Sequence, residues 1–254
     1  VSGDTESGGG DVERDTHFRR ARIARELIAA VRGLPAAEVP AALCRTCAAS
    51  LPEISGLSVS VAGAGEGTGV VLLASDEVAA RLAEIQYTLG EGPCREAMRL
   101  RAPVSAPDLT GASQARRWPL YSVQAVKAGA RAAFSVPLAG GGSVLGTLDM
   151  YRQVPGSMSE EQLRTALQLA DALTLAVAAL DHTSADSGGV VTWLEGAESD
   201  REEIHQATGM IMAQLGVSAE EALLRLRARA FAQGRTSSDV ARAIIDRTTD
   251  IRQE

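Results

Sequence analysis

Cys94 is the residue of this chain whose type and setting best suit thiol chemistry. It follows Pro93 in the run LGEGPCREA at 89–97. Pro93 suits the first position of a helix and Gly92 its cap, so Cys94 is expected in a helical first turn beside Arg95. The positive helix end and the neighbouring cation both favour thiolate there. That makes Cys94 a candidate for redox or ligand sensing. A small side chain packing a tight turn is the other use of the same position. Cys44 and Cys47 form a C-x-x-C. On a helix they share a face with Leu43 and Leu51, with no second pair and no histidine pair to complete a zinc site. Core packing is expected of them, and no metal. The histidines are His17, His182 and His205, none within the strand-rich stretch. That argues against a haem with a histidine ligand and leaves a cysteine ligand open; the cofactor stays unknown.

A second constellation lies near the C-terminus. If residues 200–215 are helical, Arg201, His205, Thr208, Gly209 and Met212 run along one flank of the apolar stripe. Gly209 would let another backbone approach closely. Arg235, Ser237, Ser238 and Arg242 line the start and exposed face of a following helix, where amides and guanidinium groups hold phosphates. Arg227 belongs with them. Arg225 is weaker, because Glu221 stands four residues before it. From 201 to 254 there are eight arginines and eight acids. Recognition of a nucleic acid would therefore rest on a localised patch, not on bulk charge.

These residues need elements to position them. Residues 1–15 are read as a disordered tail, rich in Gly, Ser and acids. A helix follows from Thr16 to Gly33 and another covers 36–51. The period then changes to two, giving a hairpin over 57–73. A helix is expected at about 76–88, a short extended piece at 103–104 and a helix at 118–128. Strands follow at 132–138 and 143–151. Ser159 and Gln162 fit a capping box for a helix reaching about His182. The fold class is therefore α+β, helices around an antiparallel sheet. Residues 183–189, TSADSGG, read as a linker, and 190–254 as a small all-α module. Its three helices span about 200–215, 219–233 and 237–248, with Ser199, Ser218 and Thr236 as caps. Each carries a one-sided apolar stripe, so the three must pack together.

Composition narrows the function classes. Aromatics are 3% and net charge is −7, which disfavours a base-stacking sheet surface or a broad polyphosphate-coating face. The 163–182 stretch contains Asp171 and Asp181 and is too short to span a membrane comfortably. The N-terminus lacks a basic-then-apolar signal, and three cysteines fit reduced thiols, so a cytoplasmic protein is expected.

Two family resemblances meet these residues. The strand pair at 57–73, the LGEGPCREA turn, the Trp118-Pro119 helix, VPL at 136–138 and VLGTLDMY at 144–151 occur in the order of a GAF domain. Residues 57–182 resemble that family, and the sensor part is placed at 16–182 with its N-terminal helices. The resemblance implies a cavity for a small-molecule effector of unstated identity. Arg201, Ile204, Ala207, Gly209-Met210-Ile211-Met212, Ser218, Glu221-Ala222, Leu226, Ala230 and Val240-Ala241 closely resemble the ANTAR domain over roughly 193–250. That family binds paired stem-loops in nascent RNA and prevents transcription termination. The chain departs from it at Thr208, where many members carry lysine. The resemblance implies a signal-responsive antitermination regulator, not an enzyme, acting on nascent RNA hairpins and indirectly on RNA polymerase. Arg201, His205, Thr208, Gly209, Arg227, Arg235, Ser237 and Arg242 are the expected RNA-binding residues. A homodimer through Leu169, Leu173 and Val177 would bring two modules together; those side chains fit the sheet core equally well. Two rival functions stay open: a helix-turn-helix DNA-binding regulator, and a thiol-dependent GAF-fold reductase using Cys94.

Overall fold

The alternation of strands and helices closes on one antiparallel sheet. The structure, a computed structural model, describes residues 22–23, 25–35, 38–62, 69–140, 143–183 and 191–248. The side chains of Pro40, of 62, 69 and 70, and of 176–201 lie outside that description. The expected tail at 1–15 and the linker, apart from Thr183, fall outside the described residues, as do the side chains of Val177, Ser199 and Arg201.

In chain order the elements are α1 (residues 25–31), α2 (Val39–Ser50), β1 (Gly56–Ala62), β2 (Gly69–Ala74), α3 (Glu77–Leu89) and α4 (Pro93–Leu100). They continue with β3 (Val104–Ala106), α5 (Ala112–Arg117), α6 (Pro119–Lys127), β4 (Ala132–Gly140), β5 (Ser143–Arg152) and α7 (Glu160–Thr183). The chain ends in α8 (Val191–Leu215), α9 (Ala219–Gln233) and α10 (Ser237–Ile245). The sheet order is β2-β1-β5-β4-β3, with every described neighbour pair antiparallel.

The period of two decides which core each strand residue joins. Leu57, Val59, Phe134, Val136, Leu138, Leu148 and Met150 face α1, α2 and α7, where Leu27, Cys47, Leu169 and Leu173 complete one core. Leu169 and Leu173 are thus sheet-facing, and they are not a surface for a second copy. Ala133 and Tyr151 face the other way, into a core with Leu82 from α3, Tyr121 and Ala125 from α6, and Trp118 at the junction of α5 and α6. Cys44 and Cys47 pack in the first core as expected. Gly146 lets β5 lie close to β1: a Cβ there would stand 2.0 Å from the Ser60 carbonyl oxygen.

Local caps explain the helix ends. Asp76 accepts from the Ala79 N–H at 2.8 Å to start α3, and Gly90, with φ +68°, ends it. Ser159 and Gln162 form the reciprocal pair that starts α7, at 3.2 and 2.8 Å. One expectation fails: α8 is continuous from Val191, so Ser199 lies within a helix and does not begin one. The apolar positions Ile204, Ala207 and Ile211 keep their period through Leu215, and the helix simply extends N-terminally. Helix α5, at 112–117, is the other element that the sequence reading missed; it has no buried residue and hence no apolar period.

The last three helices bury Ile204, Ala207, Ile211, Leu226, Ala230, Val240 and Ile244 in a third core. A core this small is marginal alone. It also packs outward: α8 lies against β2, and α9 and α10 lie against α3. Among the described residues, no helix is long and apolar enough to cross a membrane.

Candidate functional site

The inner strand residues on the α3 side are unexpectedly polar. Ser58, Ser60, Ser135, Thr147 and Asp149 are all buried there. Pairing sets Asp149 between Ser58 on β1 and Ser135 on β4. Its carboxylate accepts from the Ser135 hydroxyl and, at 2.9 Å, from the Thr147 hydroxyl. Burial nonetheless pushes its pKa up to about 6, with those two hydrogen bonds opposing the rise. A small cavity sits on this floor, walled by Leu82 and Gln86 of α3, Pro93 of α4 and Tyr121 of α6.

Two distant contacts fix the walls. Gln86 Oε1 accepts the Cys94 backbone N–H at 2.7 Å, so α3 caps the first turn of α4. Glu91 Oε1 accepts the N–H groups of Leu120 and Tyr121, both at 2.7 Å, and so caps α6.

Cys94 does occupy the first turn of α4, after Gly92 and Pro93. Its thiol, however, is buried and is pushed well above the ordinary thiol range. Burial is the largest cause and the nearby Asp149 charge adds to it; Thr147 and Arg95 pull weakly the other way. This reverses the lowered pKa that the helix end and Arg95 alone would give, because desolvation outweighs both. Cys44 and Cys47 belong to the core on the opposite side of the sheet and cannot serve as its partner. Among the described residues no group of three or more His, Cys, Asp and Glu side chains could hold a metal ion.

The C-terminal residues expected to meet RNA divide into three sets. His205, Gly209 and Met212 form an exposed stripe on α8. Open space surrounds Gly209, where an added Cβ would meet nothing within 4 Å. Arg201 lies on the same helix, its side chain beyond the described set. Thr208 departs from the stripe: it is buried, and its hydroxyl donates to the Ile204 carbonyl at 2.7 Å.

The second set is arginines held by neighbours. Arg242 makes two bonds to the Glu203 carboxylate, at 3.2 and 3.0 Å, tying α10 to α8. Arg235 donates to the Asp239 carbonyl at 2.8 Å and stays exposed. Thr236 and Asp239 form a full capping box at the start of α10. Arg225 pairs with Glu221 at 2.6 Å, as its spacing predicts.

The third set faces α3. The Arg227 guanidinium lies 5.1 Å from the centre of the Tyr87 ring. Ser237 is fully buried, and both its N–H and its hydroxyl donate to Thr88 Oγ1, at 3.3 and 3.1 Å. Ser238 donates to Glu84 Oε1 at 3.2 Å. Glu84, Tyr87 and Thr88 were not singled out from sequence, since nothing local marks the outer face of a helix as an interface. Asp149 did leave a signal: it is an acid inside the apolar strand VLGTLDMY.

Comparison with known proteins agrees with this architecture. A family model described as GAF domain matches residues 37–178, more than half of the chain. A model described as ANTAR domain matches 193–245. No curated protein matches the chain. Among solved structures, the GAF domain of a phosphoenolpyruvate-protein phosphotransferase from Coxiella burnetii is 17% identical, with TM-score 0.48, covering 66% of this chain and 98% of its own. The corresponding Acinetobacter domain is 14% identical, with TM-score 0.47, over 70% and 97%. Free methionine-R-sulfoxide reductase from Neisseria meningitidis, in complex with its substrate, is 13% identical, with TM-score 0.46, over 70% and 93%. On the family matches, the chain belongs to the GAF domain family and carries an ANTAR domain after it.

Proposed function

We propose that the protein is a signal-responsive regulator that binds paired stem-loops in nascent RNA through α8–α10 and prevents transcription termination, under control of its GAF domain. The observation that carries this reading is the ANTAR match over the three-helix unit that packs around Ile211, Leu226 and Ile244. The RNA face is built from the His205–Gly209–Met212 stripe, Arg201, and the arginines Arg227, Arg235 and Arg242. A second copy of the chain supplies the second module for a hairpin pair, and the gain is one of effective concentration. The polymerase is affected only through the RNA, and the effector is a small molecule whose entry widens the small cavity over Asp149.

Arg201→Ala, Arg235→Ala and Arg242→Ala, each in the full chain, are expected to weaken binding to a paired-hairpin RNA several-fold in a gel-shift assay. Loss of a phosphate contact should also lower the salt slope by about one. Unchanged affinity in all three variants overturns the assignment. Duplex DNA that competes better than hairpin RNA would favour a helix-turn-helix DNA-binding function in its place.

A further inference from the structure

We infer that helix α3 of the GAF domain acts as a built-in competitor for RNA, its outer face holding Arg227, Ser237 and Ser238 in contacts that an RNA backbone would otherwise take. The inference rests on the RNA-binding reading above.

The first turn of a helix has N–H groups without intrahelical acceptors, and such groups grip phosphate. At the start of α10 the Ser237 N–H and the Ser237 and Ser238 hydroxyls are engaged by α3, while the Asp239 N–H is taken by Thr236 within the module itself. Thr88 Oγ1 accepts two hydrogen bonds from Ser237, and the Glu84 carboxylate accepts one from Ser238. Glu84 thus sets a negative group at the positive end of α10, where a phosphate oxygen would sit. Tyr87 takes one cation of the RNA face: Arg227 stacks on its ring, and the ring also packs on the third core. An anion, a hydroxyl acceptor and an aromatic face together imitate what a nucleotide presents.

Glu84, Tyr87 and Thr88 stand at i, i+3 and i+4, so they share one side of α3. Ala79, Leu82 and Gln86 occupy the opposite side and wall the cavity over Asp149. One helix therefore touches the small cavity over Asp149 with one face and the C-terminal module with the other. A ligand that displaces Gln86 or Leu82 shifts the outer face in the same movement and favours the undocked module.

The test uses the full chain carrying Thr88→Cys and Ser237→Cys. Their hydroxyl oxygens are 3.1 Å apart, within reach of a disulfide, and the three native cysteines are buried. Oxidation should lock the module down and weaken hairpin-RNA binding by at least about tenfold relative to the same variant kept reduced, with reduction reversing that loss. Tyr87→Ala, which removes the stack without changing charge, should bind RNA about tenfold more tightly than the unaltered chain. If mass spectrometry finds no crosslink, the docking is wrong. A crosslinked chain that binds RNA as well as its reduced form overturns the occlusion and leaves the RNA reading standing. If the crosslink forms but the unaltered chain, the reduced pair and Tyr87→Ala all ignore hairpin RNA, the RNA reading fails and takes the inference with it.

Discussion

Gln86 and Cys94 are joined by a single hydrogen bond, 2.7 Å from the Cys94 backbone N–H to the amide oxygen of Gln86, made in space that Gly92 leaves open. A Cβ on Gly92 would stand 2.6 Å from that oxygen, and the residue has φ +130°. Steric fit and backbone freedom thus demand glycine there together. Gly92→Ala should destabilise the GAF domain by about 1–3 kcal/mol, read as a lower midpoint in urea unfolding. A variant with an unchanged midpoint would show that the Gln86 contact is dispensable.

Cys94 should be a poor nucleophile in the folded protein. Its thiol is buried and held largely protonated by desolvation and by Asp149, whereas reactivity follows thiolate and access. Mild peroxide or iodoacetamide at neutral pH should leave it unmodified by mass spectrometry until denaturant is added. Rapid modification of Cys94 in native protein would return the redox-sensing and reductase readings to the front.

Asp149 should leave a mark on stability against pH. Its folded pKa is raised from 3.8 to about 6 by burial, so the folded state binds the proton more tightly than the unfolded chain. Its contribution is therefore full below about pH 4 and is lost as pH rises to about 6, with no further change above. The span corresponds to a difference on the order of 3 kcal/mol. Asp149→Asn should abolish that dependence, so the stability difference between variant and parent changes between pH 4 and pH 7. Parallel pH profiles for the two would contradict a carboxylate buried on the cavity floor.

The C-terminal core should be sensitive to single truncations. Leu226 is fully buried among Ile211, Ala230 and Ile244, and Leu226→Ala should remove about 2–5 kcal/mol. Thr236→Ala takes one half of the capping box at α10 and should remove about 1 kcal/mol. Chemical unfolding followed by circular dichroism separates the two by size. Equal small effects would mean that the three helices do not share one core.

Much of the fold was legible because it is local. Ser159, Ser218 and Thr236 mark helix starts through hydrogen bonds to residues three positions on, Gly92-Pro93 marks one by backbone conformation, and the period of two marks the strands. Ser199 misled for an instructive reason. A cap-forming residue offers only an option, and the helix that begins at Val191 runs straight through it. The candidate site was less legible. Thr208 lies on the expected flank by helical geometry, yet its hydroxyl turns back to Ile204 and the side chain is buried.

Cys94 shows where the division falls. By itself the sequence determined that Cys94 sits in a helical first turn after Gly92 and Pro93, that three one-sided helices, two of them capped as expected by Ser218 and Thr236, follow the linker, and that GAF and ANTAR patterns follow one another. These depend on neighbours a few residues apart. Only the tertiary structure decided that Asp149 is the buried charge beside Cys94, raising a thiol that its helix position alone would lower. Only the tertiary structure, likewise, set Ser237 against Thr88 and Arg227 against Tyr87. Periodicity states which face of an element must be covered. What covers it, and the desolvation and charge that come with the cover, is settled when distant segments pack.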